Sequence, residues 1–587
     1  MRLVNRDPAR AYIDNWLWVP KSLINVTAIQ SALSFVFDDR YSGKQRVLAL
    51  WRETDHHLLV PRSFWDTGSL LCETVDCRPR SYPRIEFESR IRLDHRPGEM
   101  DGQTVLIPTG DKVQNISIDA MEKAMGGVLQ LACGKGKTIV TLEHIARNKV
   151  PALIVLDNSN LLYQWEREVN LHLTVPGGIG YMMQGQFDWQ KGIVLATYQT
   201  LANKAGDMPE EVRRWFGNIY FDEGHHVSAP VFSRGVDLFY GRRYALTATP
   251  ERDDGWHIIC DLHVGKVLHK DLRQTMIAQF IFRWTGLELE LTNPAVMSAV
   301  ADVNGEVHGS KISSYFGAWR DRLWLIMQDT IDIVSTGRKA LVLSDSVSEV
   351  VNLMTLWTRG AHASLYTDIP VPTPSELGET LVPVTLSDKD ARSLKADIKA
   401  LWAWVATGKL PKRKVQLNEN HINDCMFTWQ QHLVGKKVAA LLKKRQKAFL
   451  KKLITEESTA GVMTYGVPPR VRQKFLDDRI VVFAITKYGK EGLDCPDLDF
   501  VGASTPFSQK NSLQQLMGRP TRPKPGKRKP IVLIWEDNVG QRIGMCQKLR
   551  SHLLSWPHEE GGPFEFTLVG HPKITCKTST LTEAIGQ

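Results

Sequence analysis

The chain has 587 residues, 43% of them hydrophobic, which is enough for three or four domains of ordinary size and too many for one compact unit. Lysine and arginine outnumber aspartate and glutamate by 74 to 64, and the resulting charge of +10 favours a polyanionic partner over an acidic one. The eight cysteines include no Cys-x-x-Cys pair and no run approaches the roughly 20 apolar residues of a membrane span, so the sequence predicts a soluble cytoplasmic protein without a disulfide framework or secretory leader.

Residues 1–95 carry many tryptophans and arginines without an assignable period and are expected to form an N-terminal accessory domain, a candidate for DNA binding. Trp16, Trp18, Trp51 and Trp65 suit either a core or base stacking. Short apolar runs then recur at Val128–Leu131, Ala152–Leu156, Gly192–Ala196, Ile219–Phe221 and Tyr244–Ala248, separated by helix-length segments, the rhythm of parallel strands buried on both faces. The rhythm restarts at Ala340–Leu343, Ile480–Ala484, Phe500–Ala503 and Ile531–Trp535. The predicted fold class is therefore α/β, with two tandem doubly wound parallel sheets over 96–272 and 273–560 and a tail over 561–587. The second half holds an insertion, 359–459, opening on a Pro-rich piece. Lys436, Lys437, Lys443, Lys444, Arg445, Lys447, Lys451 and Lys452 within it read as a basic amphipathic helix, which either meets phosphates or is simply solvated.

The sharpest local signal is Leu131-Ala132-Cys133-Gly134-Lys135-Gly136-Lys137-Thr138, an apolar strand running into a glycine-rich turn. Such a turn aims backbone amides at phosphate oxygens, Lys137 reaches the β and γ phosphates, and Thr138 offers a hydroxyl to Mg²⁺. Further on, the run Asn218–Phe221 delivers Asp222 and Glu223 at a strand end, where open α/β sheets bind ligands. Asp222 suits Mg²⁺ and Glu223 suits orienting and deprotonating the attacking water. His225 follows as a candidate link to the neighbouring half.

With Thr247-Ala248-Thr249-Pro250, these boxes stand in the order of superfamily 2 helicases, which they resemble as motifs I, II and III. Gln114 falls where that family reads adenine, although the basic residue that often precedes it by three is Asp111 here. The segment from Leu153 to Gln164-Trp165 resembles motif Ia and Ala196–Thr200, with Thr197, resembles motif Ic, both of which grip the nucleic-acid backbone in the family. Thr486–Asp494, including Gly492 and Asp494, is similar to motif V, and Gln515–Arg522 to motif VI. In that pattern Gln515, Arg519 and Arg522 face the γ-phosphate, with Arg522 as arginine finger. Within the superfamily the phosphate loop, Gln164-Trp165 and the segment Leu246–Gly255 look most like the XPB and phage branch-migration helicases, grouped with type III restriction helicase subunits. A charged triplet near the duplex in XPB-type enzymes corresponds to Arg252-Asp253-Asp254, for which a solvated turn is the other reading. Gly224 replaces the commoner alanine of motif II, with little consequence expected.

The resemblance implies two RecA-like domains, ATP and Mg²⁺ as cofactors and a nucleic-acid partner, DNA ahead of RNA. The implied function is an ATP-dependent DNA helicase or translocase acting on duplex, forked or branched DNA. RNA unwinding, or an ATP-gated clamp or annealing factor that separates no strands, remain the alternatives.

Overall fold

The computed structural model describes residues 6–586 apart from 40–43, 101–102, 184, 225–226, 228–232, 249–256, 274–275, 290, 293–295, 298–299, 302–304, 308, 318, 358–458, 465–466, 491–494, 508–511, 515–517, 519, 521–525 and 572–580. The basic run of the insertion thus lies outside the described residues. The chain divides into two compact units, Met1–Thr275 and Met276–Gln587.

In the first unit, eight strands form one sheet in the order Gln186–Phe187, Ile179–Met183, Ile193–Thr197, Ala152–Leu156, Asn218–Asp222, Arg242–Thr247, Gly126–Leu131 and Val267–Asp271. All neighbours pair in parallel except the first two. Alternate residues of the same strands feed two separate cores. Leu129, Ile154, Leu195, Tyr220 and Leu246 enter one, and Val128, Val155, Val194, Phe221 and Ala245 enter the other. Helices therefore cover both faces, the doubly wound arrangement expected of continuous apolar runs.

Residues 1–95 belong to this same unit. Arg52–Glu53, His57–Val60, Leu17–Pro20, Ala11–Ile13 and Thr74–Asp76 form a five-stranded sheet. Its apolar side shares a core with Ile259 and the half-buried Leu262. Two buried arginines bolt it on: Arg62 donates to the carbonyls of Tyr240 (2.9 Å) and Gly241 (2.8 Å), and Arg243 donates to that of Asn15 (2.8 Å). Trp16 and Trp18 are buried, and the Trp18 indole donates to Asp14, so these two fill a core rather than wait for bases.

The second unit is built on seven strands, all parallel, in the order Ala460–Met463, Val481–Ile485, Ala340–Ser344, Phe500–Ala503, Ile531–Asn538, Gln279–Glu288 and Phe566–Val569. At the carboxyl ends of its central strands lies a buried ion cluster. Arg322 donates to Glu349 (2.7 Å), to Asp537 (2.9 Å) and to the Ser504 carbonyl, and Arg542 adds a second bond to Asp537 (2.6 Å). Opposed buried charges hold two strand ends and three helices together, and removing one partner strands the others in an apolar interior. Among the described residues no helix is long and apolar enough to cross a membrane.

Arg322→Met leaves Glu349 without its arginine and Asp537 with Arg542 alone. It is expected to destabilise the second unit by about 3–5 kcal/mol, read as an earlier denaturant transition.

Candidate active site

The parallel register sets the positions of the chemistry. Gln130 pairs with Thr247, Leu246 with Asp222, and Phe221 with Val155, so the phosphate-loop strand, the motif III strand and the acid strand finish along one edge. The acid strand lies two strands from the loop strand, with Arg242–Thr247 between them.

The strand Gly126–Leu131 ends in a turn whose Gly134 and Gly136 have φ of 83° and 82°, the left-handed region that glycine tolerates without strain. Gly136 caps the twelve-residue helix Lys137–Asn148, and Lys137 and Thr138 open it. A Cβ on Gly136 would collide with Gln114 Nε2, so the loop closes directly onto the predicted adenine reader. Gln114 is itself pinned: its Oε1 accepts from the Asp94 amide (2.7 Å), and its own amide donates to Asp94 Oδ1 (2.8 Å). Asp111, out of place beside the family pattern, has a physical role. With Asp271 it holds the loop's other lysine, Lys135, at 3.1 and 3.4 Å. Lys137 Nζ donates to the Leu131 carbonyl (3.0 Å), a neutral acceptor that a phosphate would outcompete. Cys133 is half-buried in the same turn.

Asn218–Asp222 is buried throughout and ends on the acid pair. Both oxygens of Asp222 are held: Trp165 Nε1 donates to Oδ2 (2.8 Å) and the Glu223 amide to Oδ1 (3.0 Å), while the Tyr198 hydroxyl donates to the Asp222 carbonyl (3.0 Å). Burial and the neighbouring Glu223 charge push the Asp222 carboxyl above the usual carboxylate range, against the pull of the indole bond and of Lys137. A cation beside it would relieve that unfavourable ionisation. Glu223 sits at φ 47°, an uncommon conformation for a side-chain-bearing residue and a sign that the turn after the strand is imposed by its surroundings. The residues fit a Mg²⁺-nucleotide: a carboxylate, a helix-opening hydroxyl at Thr138, a lysine and an amide-lined glycine turn.

Gly224 departs from expectation. A Cβ there would stand 2.8 Å from the Cβ of Ala245 on the adjoining strand, so alanine is not an easy replacement in this chain. The packing of two parallel strands, invisible in the motif itself, makes the difference.

The other predicted residues divide by position. Thr247 is buried at its strand end, Thr197 caps the helix Tyr198–Lys204 with its hydroxyl accepting from the Thr200 amide (3.3 Å), and Gln164 is half-buried one residue before Trp165. Thr486 opens the helix Thr486–Lys490 in the second unit. His225, Thr249, Arg252, Gly492, Asp494, Gln515, Arg519 and Arg522 lie outside the described residues. Sequence reasoning missed Asp94 and Asp271, which carry no local signal. It read Trp165 only as part of a nucleic-acid-gripping segment.

A glycine turn heading a helix, with an acid pair two strands away on a parallel sheet, is the arrangement of a phosphate-loop nucleotide site on a RecA-like core. Residues 107–252 match the family described as "Type III restriction enzyme, res subunit". A DNA 3'-5' translocase XPB2 of Sulfurisphaera tokodaii is 34% identical over 181 residues, covering 30% of this chain and 39% of the relative. The XPB helicase/translocase subunit of a general transcription and DNA repair factor IIH from Encephalitozoon cuniculi is 32% identical over 199 residues, 30% of this chain and 29% of the relative. A putative ATP-dependent RNA helicase of Acanthamoeba polyphaga mimivirus is 28% identical over 189 residues, 31% of this chain and 36% of the relative. Each alignment spans less than two fifths of the relative it matches. Over these segments the chain is similar to XPB-type helicases and translocases of superfamily 2, and the similarities give no support to the phage branch-migration part of the expectation.

Gly224→Ala is expected to displace the acid pair against Ala245 and lower the ATPase kcat about tenfold, a rise of ~1.4 kcal/mol in the barrier, measured under saturating ATP. Gln114→Ala is expected to raise the KM for ATP about tenfold while leaving kcat nearly intact.

Proposed function

We propose that the chain is an ATP-dependent DNA helicase or translocase. The observation that carries this reading is the meeting, on one sheet edge, of Lys137 on its glycine turn with the acid pair Asp222 and Glu223. Lys137 would leave the Leu131 carbonyl for the β and γ phosphates, Thr138 and Asp222 would hold Mg²⁺, and Glu223 would orient the attacking water and take its proton. Bound Mg²⁺ would supply charge neutralisation at the phosphate oxygens. By motif resemblance Gln515, Arg519 and Arg522 of the second half respond to the γ-phosphate, with Arg522 as a finger worth about 10³ to 10⁵ in rate. Differential grip on nucleic acid before and after hydrolysis would then suffice to move the motor.

DNA is favoured as the polymer by the relatives whose names specify DNA 3'-5' translocase or helicase activity. RNA is the second reading, favoured by the relative named a putative ATP-dependent RNA helicase.

The test is ATPase and unwinding measured together on single-stranded, duplex and branched DNA and on RNA. DNA is expected to stimulate turnover, and Glu223→Gln to lower it by about 10³-fold or more. Lys137→Ala should abolish turnover and leave nucleic-acid binding largely intact. Stimulation by RNA alone would replace the first reading by the second, and an undiminished rate in Lys137→Ala would end both.

A further inference from the structure

Trp165 is 1% exposed and packs in a core with Leu161, Leu162, Val169, Ile154 and Leu156. Any large apolar residue would satisfy that core. The indole nonetheless spends its one polar atom on Asp222 Oδ2 at 2.8 Å, across 57 residues of sequence. The other oxygen, Oδ1, is held by the amide of Glu223, which the chain supplies at the very next position. Two donors from two different elements therefore fix the plane of the carboxylate, and only the indole is a separately chosen side chain. Its helix, Ser159–His172, follows the strand Ala152–Leu156, whose Val155 pairs with Phe221 beside Asp222, so the bond spans neighbouring strands of one rigid sheet. Burial also removes Trp165 from any nucleic-acid contact, the role its segment suggests by resemblance; the half-buried Gln164 keeps that possibility to itself.

We propose that Trp165 is a positioning residue for the magnesium-binding carboxylate, holding Asp222 in the orientation that accepts the cation of a Mg²⁺-nucleotide. The inference rests on the assignment of Asp222 to Mg²⁺ made above. A donor that orients a metal-binding carboxylate is worth about 10- to 100-fold in metal affinity. An aromatic ring without the N–H should keep the packing and lose the orientation.

The experiment is binding of a fluorescent ADP analogue, mant-ADP, to the full chain in Mg²⁺ and in EDTA, for wild type and Trp165→Phe. Wild type is expected to bind more tightly in Mg²⁺. Trp165→Phe should lose about tenfold of the affinity in Mg²⁺ and match wild type in EDTA, with part of the loss recovered as Mg²⁺ is raised. Trp165→Met, a second apolar replacement, should behave alike and carries the test if the phenylalanine variant does not fold. Equal losses in Mg²⁺ and EDTA would reveal a structural role only and overturn the proposal, as would an undiminished Mg²⁺ effect. If wild type itself binds without any Mg²⁺ effect, the metal assignment of Asp222 fails, and the proposal falls with it.

Discussion

Parallel strand pairing is the constraint on which everything else in the first unit depends. Because Gln130 is level with Thr247 and Leu246 with Asp222, the glycine turn, the motif III strand and the acid pair emerge from the same edge, although 85 residues separate Lys137 from Asp222. Apolar burial on both faces fixes that register: a slip by one residue would exchange the two cores, moving Phe221 and Val155 to the side now occupied by Tyr220 and Ile154. The chemistry is thus located by hydrophobic packing, and the polar groups need only be placed at the strand ends.

What the strand ends then require is local precision from backbone and neighbours. Gly136 must lack a Cβ because Gln114 lies against it, and Gly224 is crowded by Ala245. Glu223 takes a left-handed turn directly after a fully buried strand, and its amide closes back on Asp222. Carboxylates Asp94, Asp111 and Asp271, none of them offered to the ligand in this account, hold Gln114 and Lys135 in place around the turn. A carboxyl buried beside a second acid is unfavourable on its own, and a divalent cation would be the natural remedy. The ion cluster at Arg322 does comparable work in the second unit, tying strand ends with charge where the first unit uses an indole and a tyrosine hydroxyl.

The sequence made the double-sided strands legible because a strand buried on both faces is written as an unbroken apolar run, and Ala152–Leu156 and Ala340–Ser344 were readable for that reason. Ile179–Met183, where burial alternates, and the largely uncovered edge strand Val267–Asp271 gave no such run. The phosphate turn and acid pair were legible because their residue types are dictated by phosphate and metal chemistry. Trp165 was found in the right segment with the wrong partner, since nothing in a buried tryptophan's neighbours reveals which acceptor its indole will meet. Nothing in the sequence marks Arg322, because its partners Glu349 and Asp537 come from distant parts of the chain.

The central claim is that nucleotide phosphates rest on the Gly134–Thr138 turn opposite Asp222. Determining the structure of the full chain with Mg²⁺ and a non-hydrolysable ATP analogue tests it most directly. The terminal phosphates are expected at the turn, with Lys137 Nζ moved from the Leu131 carbonyl onto phosphate oxygen and the cation between the phosphates and Asp222. Nucleotide bound elsewhere, with Lys137 still on Leu131, would contradict it.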